Sequence, residues 1–130
     1  MPGPARAGAL IYAKNIEKLS GFYQTLFAMT LLKADAEHHV IESADFQLII
    51  HAIPAPIADS ISISAPPEPR QDQAIKLFFT VDDLASAEAL APTLGGDVYG
   101  PVYDGPGFKV RNGYDPEGNI FQVRAFLPTP

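Results

Sequence analysis

Apolar positions in the first half of the chain change from strand spacing to helical spacing and back. The run GALIYA, residues 8–13, is rich in β-forming side chains, which favours a strand. In residues 15–28 apolar side chains recur at helical spacing, which predicts a helix with Asn15 as its N-cap. Three strand-like runs follow, at residues 29–35, 38–43 and 45–52. The first half therefore predicts the order β-α-β-β-β.

The second half repeats this order. Residues 75–81 predict a strand, and residues 82–96 predict a helix that begins at an aspartate cap and stops at two glycines. Pro92 lies inside the helical pattern and should end its regular part early, because proline lacks the N–H that a helix needs. Three further strands are predicted, at residues 97–104, 107–114 and 119–126, and the sequence DPEG before the last of them suits a type I turn.

The segment between the two halves is rich in proline. Residues 53–73 hold five of the 13 prolines of the chain, so we expect a connector in which proline forbids a helix. Its SISIS run, residues 60–64, could form a short edge strand. The predicted organisation is a single domain, residues 1–130, built from a first module, a connector and a second module. Their predicted bounds are 8–53, 54–73 and 74–127.

The predicted strands have one apolar face and one mixed face, because successive side chains of a strand point to opposite sides. In residues 46–51 one set of alternate side chains is apolar, and the other contains Gln47 and His51. In the last strand Gln122 shares a face with Arg124. An apolar face suits packing against a helix, and a mixed face suits a ligand cleft, which has apolar walls and a few polar groups.

Composition narrows the range of functions. The 130 residues are 47% apolar and 18% charged, as in a globular domain, and they include no cysteine, which excludes disulfides and thiolate chemistry. The net charge of −6 and the lack of a basic cluster argue against nucleic-acid binding. The sequence contains no apolar run long enough for a signal peptide or a membrane span, so we expect a cytoplasmic protein.

Three segments resemble the vicinal oxygen chelate superfamily, which includes glyoxalase I, extradiol dioxygenases, and fosfomycin- and bleomycin-resistance proteins. They are KNIEKLSGFYQTLF (14–27), VDDLASAEALAPTLGGDVYGPV (81–102) and DPEGNIFQV (115–123). The resemblance implies an α+β fold of two tandem βαβββ modules that form a curved mixed sheet around a cleft. It also implies a homodimer, since small members of the superfamily usually pair across a two-fold axis.

The resemblance places the superfamily's metal ligands at Gly8, Gln47, Lys76 and Gln122. Glycine offers no ligand, a protonated lysine has no lone pair, and two amides offer only neutral oxygens. We therefore expect no metal and no cofactor, and these four residues argue against glyoxalase or dioxygenase chemistry.

Eight residues are candidates for binding a small organic ligand. Each has a plain alternative: local hydrogen bonding for His51, solvation for Lys76 and Arg111, and core filling for the aromatic side chains. His38 and His39 are adjacent on a strand, so their side chains should diverge, in solvated or edge positions. The candidates are Tyr12, Gln47, His51, Lys76, Phe78, Arg111, Tyr114 and Gln122.

Two functions remain open. The first is a metal-free binding protein of the bleomycin-resistance type, which sequesters a small organic molecule. The alternative is a small lyase, isomerase or dioxygenase-type enzyme with a non-standard site, in which Lys76, His51 or a tyrosine acts as acid or base. The residues favour the binding protein and assign no catalytic group.

Overall fold

The computed structural model describes residues 5–128 and divides the chain into two compact units between Ile63 and Ser64. This division falls inside the predicted connector; the module bounds themselves stay a prediction. Within the described range no helix is long and apolar enough to cross a membrane.

The first unit holds five of the predicted elements and a short additional helix. They are β1 (Ala7–Ala13), α1 (Ile16–Leu26), β2 (Thr30–Ala34), β3 (His38–Glu42), β4 (Phe46–Ala52) and α2 (Ala55–Ala58). The strands form a sheet in the order β1-β4-β3-β2. The β1–β4 pair is parallel and the other pairs are antiparallel, so the sheet is mixed.

The second unit has the same arrangement. Its elements are β5 (Leu77–Thr80), α3 (Leu84–Leu90), a 3₁₀ turn (Ala91–Leu94), β6 (Asp97–Gly105), β7 (Phe108–Tyr114) and β8 (Ile120–Phe126). The sheet order is β5-β8-β7-β6, with β5 and β8 parallel and the other pairs antiparallel. The two mixed sheets confirm the predicted α+β arrangement of two βαβββ modules.

Both main helices begin where capping chemistry predicts. The Asn15 side-chain oxygen accepts a hydrogen bond from the Lys18 N–H at 3.1 Å. At α3 the Asp83 carboxylate accepts bonds from the Ser86 hydroxyl and from the N–H of Ala85, and these bonds lower the pKa of Asp83. Pro92 ends the regular helix early, as predicted, because the chain continues from Leu90 as a 3₁₀ turn.

Each sheet is buried on the side that its helix covers. In the first unit α1 contacts β3 and β4, where Leu48 and Ile50 are fully buried. In the second unit α3 contacts β8, where Phe121 and Val123 are almost fully buried. Leu48 and Ile50 alternate with Gln47 along β4, and Phe121 and Val123 flank Gln122 on β8. The predicted apolar faces are therefore confirmed.

The proline-rich segment differs from its prediction in two ways. A four-residue helix forms at Ala55–Ala58, although proline was expected to forbid one. Pro56 lies in the first turn of this helix, where backbone N–H groups have no intrahelical acceptor, so proline costs no hydrogen bond there. The fixed φ of proline also suits a helix. Residues 60–64, SISIS, form no strand and have irregular backbone.

Candidate ligand-binding faces

The face of the first unit's sheet opposite the buried side is exposed or half-buried, and we call it the first open face. Strand alternation and register assign its members, and Leu10 and Tyr12 among them are 47% and 60% exposed. The face consists of Gly8, Leu10, Tyr12, His38, Val40, Glu42, Gln47, Ile49 and His51.

Gln47 lies at one end of this face and is tied to a neighbouring strand. Its amide donates to the Glu42 Oε1 at 3.0 Å, and the same oxygen accepts the backbone N–H of Ala5 at 3.2 Å. An open depression of about 360 Å³, lined mainly by residues 5–10, lies beside Gln47 and Ile49. The Gln47 amide therefore borders a concave surface, with one of its two N–H donors engaged by a carboxylate.

His51 lies at the other end of the first open face, next to two further rings. Its Nδ1 is 2.8 Å from the Ala52 carbonyl oxygen, to which it donates. Its ring centroid is 5.3 Å from that of Tyr12 and 4.5 Å from that of His38. Because Nδ1 holds the proton, a neutral His51 ring has its lone pair on Nε2. The contact with His38 was missed, since it depends on the β3–β4 register.

His38 and His39 diverge, as predicted, but the expected solvated or edge position is wrong for His39, which is half-buried on an interior strand. His38 is opposite His51 on the first open face, and its Nδ1 lies 3.4 Å from the Asp35 carboxylate. His39 points to the helix side, where its Nδ1 is 2.9 Å from the hydroxyl of buried Ser20. The Asp35 carboxylate accepts hydrogen bonds from the backbone N–H groups of Glu37 and His38. These two bonds are the main reason that the pKa of Asp35 is lowered to about 2.

The second unit has a corresponding surface, which we call the second open face. Its polar members alternate along the strands with the buried residues of the helix side. Two of its phenylalanines, Phe78 and Phe126, are 58% and 55% exposed. The face includes Phe78, Thr80, Asp97, Tyr99, Tyr103, Phe108, Val110, Asn112, Tyr114, Ile120, Gln122, Arg124 and Phe126.

Gln122 lies in the middle of the second open face. In the strand register it has Phe78 on one side and Asn112 on the other. The Lys76 ammonium, just before β5, donates to the Asn112 Oδ1 at 3.2 Å. Two amides and an ammonium are therefore gathered beside an exposed aromatic ring, and Gln122 itself is half-buried.

Tyr114 lies near the edge of the same face and packs against Tyr99, with ring centroids 5.5 Å apart. Burial raises the pKa of the Tyr114 hydroxyl, and the negative charge of Asp97 and the neighbouring Tyr99 raise it further. The phenol is therefore protonated at neutral pH and can act as a hydrogen-bond donor.

Arg111 is not on the second open face. It is opposite Val123 in the register, on the helix side of the sheet. Its guanidinium contacts the Glu88 carboxylate at 2.9 Å and donates to the Gly100 carbonyl oxygen at 3.0 and 2.8 Å. The structure therefore separates Arg111 from Lys76, Phe78, Tyr114 and Gln122, and its donors are engaged within the unit.

Arg124 is a charged residue of this face that is not among the eight candidates. Its Nε donates to the Thr80 hydroxyl at 3.0 Å. Its guanidinium carbon lies 4.5 Å from the ring centroid of Phe78 and 5.0 Å from those of Phe108 and Phe126. The alternation that assigns Gln122 also assigns Arg124 to this face, but the ring cluster around it requires the cross-strand register.

The four positions where the superfamily carries metal ligands do not fit a divalent metal. A Cβ at Gly8 would overlap the Gln47 carbonyl oxygen, so no side chain fits there without a backbone shift. The amide of Gln47 donates to Glu42, and the ammonium of Lys76 donates to Asn112. Such groups do not supply the imidazole and carboxylate ligands that zinc, iron or manganese prefer. No cluster of three histidine or acidic side chains suited to a metal occurs among residues 5–128.

Solved structures share this fold at low sequence identity. A glyoxalase/bleomycin resistance protein/dioxygenase family enzyme from Burkholderia phytofirmans PsJN aligns with a TM-score of 0.71 and 18% identity, covering 92% of this chain and 97% of that one. A glyoxalase-related enzyme from Fulvimarina pelagi gives 0.66 and 16%, covering 94% and 88%. A bleomycin resistance determinant encoded on the transposon Tn5 gives 0.61 and 17%, covering 95% and 98%.

Neither a protein-family model nor a curated protein matches the chain. The structural likeness nevertheless extends over nearly the whole of each chain compared, and it establishes the fold. The chain has the glyoxalase/bleomycin resistance fold, which is the fold that the resemblance in sequence implied.

Proposed function

We propose that this protein binds a small organic molecule on the second open face without a divalent metal, as a binding protein of the bleomycin-resistance type. The proposal is carried by the position of Gln122 between two cross-strand neighbours, Phe78 and Asn112. The Lys76 ammonium donates a hydrogen bond to the Asn112 side-chain oxygen. Polar groups set among aromatic side chains are typical of small-molecule sites, where apolar area supplies affinity and a few polar atoms fix orientation.

Gln122 provides the test of this proposal. We expect Gln122→Leu to weaken the tightest binder of a panel of small aromatic compounds by about 1–3 kcal/mol, because a hydrogen bond is lost or a ligand group is left unpaired. Stability should stay within about 1 kcal/mol of the parent, since this side chain is half-exposed. Calorimetric titration and a thermal melt measure the two quantities.

Gln24→Leu, the same change on α1 in the other unit, is the matched control and should leave affinity unchanged. A panel without a single binder, or a large fall in melting temperature at unchanged affinity, would refute the proposal. The second of these results would mean that Gln122 supports the fold.

A homodimer is also proposed. It is supported by Leu10 and Tyr12, two large apolar side chains exposed on the first open face, because exposed apolar area commonly marks an interface. Light scattering should give about twice the chain mass of 14.0 kDa. A particle of single-chain mass at micromolar concentration would contradict this.

A second candidate function is acid–base catalysis on the first open face. The specific observation in its favour is the group of His51, His38 and Tyr12 with the His51 Nε2 left as an acceptor. Recovery of an incubated ligand in chemically changed form would favour the enzyme, and recovery unchanged would favour the binding protein.

We further propose a cytoplasmic location and no nucleic-acid partner. The absence of cysteine fits a reducing compartment, and a net charge of −6 repels phosphate backbones.

A further inference from the structure

We infer that the second open face selects organic anions, above all aromatic carboxylates, through Arg124 and Lys76. This inference rests on the function proposed above and names the ligand class for that site.

The first argument is the fixed position of the Arg124 guanidinium. Thr80 holds its Nε at 3.0 Å, and the rings of Phe78, Phe108 and Phe126 lie within 4.5 to 5.0 Å of its carbon. A planar cation oriented in this way has its remaining N–H groups arranged as a fork, which matches the two oxygens of a carboxylate.

The second argument is the lack of a carboxylate partner. Ion pairs in the described part of the chain engage Lys33, His38, Lys109 and Arg111, but neither Lys76 nor Arg124. The chain carries a net charge of −6, so acidic groups are plentiful elsewhere. Asp97 brings one negative charge to the Tyr114 end of this face, but Lys76 and Arg124 outnumber it and form no ion pair with it, so the potential beside them favours an anion.

The third argument is the position of the two cations relative to Gln122. Arg124 lies two residues beyond Gln122 on the same face, which is about 7 Å along a strand. Lys76 reaches Asn112, which is the neighbour of Gln122 on the other strand. A carboxylate held by Arg124 would leave the attached ring over exposed Phe78, beside the Gln122 amide.

Three naphthalene compounds separate charge from shape. The test titrates naphthalene-2-carboxylate, naphthalene-2-carboxamide and 2-naphthylmethylammonium into the full chain by calorimetry. We expect the carboxylate to bind at least about tenfold more tightly than the carboxamide, and the ammonium to bind most weakly. Inorganic phosphate alone should compete only weakly, because it lacks the ring.

Variants then assign this preference to residues. In Arg124→Gln the ratio of carboxylate to carboxamide affinity should fall to within about twofold of unity, and Arg124→Lys should restore only part of it, because an ammonium lacks the planar fork. Lys76→Gln should reduce the ratio to a smaller extent. Lys18→Gln removes the same charge from the exposed side of α1 and should leave the ratio unchanged. Because the ratio is taken within one variant, partial unfolding cancels.

Equal affinities for the carboxylate and the carboxamide would overturn the inference while leaving small-molecule binding intact. A carboxylate preference that survives in Arg124→Gln would also overturn it, as would an absence of carboxylate binding up to about 5 mM. In that last case the aromatic panel and Gln122→Leu decide the proposed function independently.

Discussion

Asp115→Ala is expected to lower the free energy of unfolding by about 3 kcal/mol, which is a large effect for one turn. Asp115 is fully buried at the first position of the DPEG turn. Its Oδ1 accepts the N–H of Glu117 at 2.9 Å and that of Asn119 at 3.1 Å, and its two oxygens accept the Asn119 amide. Alanine would leave these donors, some of them buried, without their charged acceptor.

The same turn sets the start of β8 and therefore the position of Gln122. The N–H of Gly118 closes the turn on the Asp115 carbonyl oxygen at 2.9 Å, with Gly118 at a φ of 86° that favours glycine. Asp82→Ala, at an exposed aspartate in the same unit, is the control and should change stability by less than about 0.5 kcal/mol. Urea denaturation measures both variants. A loss below about 1 kcal/mol for Asp115→Ala would contradict this account of the turn.

Gly8→His, which places an imidazole at a position where the superfamily carries a metal ligand, should destabilise the chain by about 2–3 kcal/mol and create no metal site. The Cβ of any side chain there would overlap the carbonyl oxygen of Gln47 on the paired strand. Backbone cannot move aside as a flexible side chain can, so the strain remains. Urea denaturation and zinc titration by calorimetry measure the two outcomes.

Gly21→Ala is the matched control for this change. Gly21 lies within α1, and a Cβ there meets no atom within 4 Å. Alanine should therefore stabilise the chain by about 0.5–1 kcal/mol, because glycine is the poorer helix former. The prediction would be wrong if Gly8→His had normal stability and bound one equivalent of zinc, because a single substitution would then create a metal site.

Local chemistry explains why much of the fold could be predicted from the sequence. Asn15 and Asp83 cap helices through their own side chains, and Pro92 interrupts a helix by lacking an N–H. Strand alternation depends only on neighbouring residues, so it assigned Gln47 and Gln122 to the faces opposite the buried cores.

The features that were missed depend on which strands pair and in what register. His38 meets His51 because β3 and β4 align them, and Arg124 meets three phenylalanines from β5, β7 and β8. Spacing along one strand predicts only the contact of Arg124 with Phe126, two residues further along β8; the other contacts need the cross-strand register. The position of Arg111, in contrast, could have been predicted. It precedes Asn112 on β7, and adjacent residues of a strand point to opposite faces, so Arg111 belongs on the helix side.

Mapping the ligand on the backbone tests the central claim, that the second open face binds a small organic molecule, most directly. The measurement is a ¹H–¹⁵N NMR titration of the labelled 14.0 kDa chain with the tightest binder of the aromatic panel. We predict that amide shifts change most in β5, β7 and β8, at residues 77–80, 108–114 and 120–126. Changes concentrated in α3 or in the first unit, with β8 unaffected, would contradict the account.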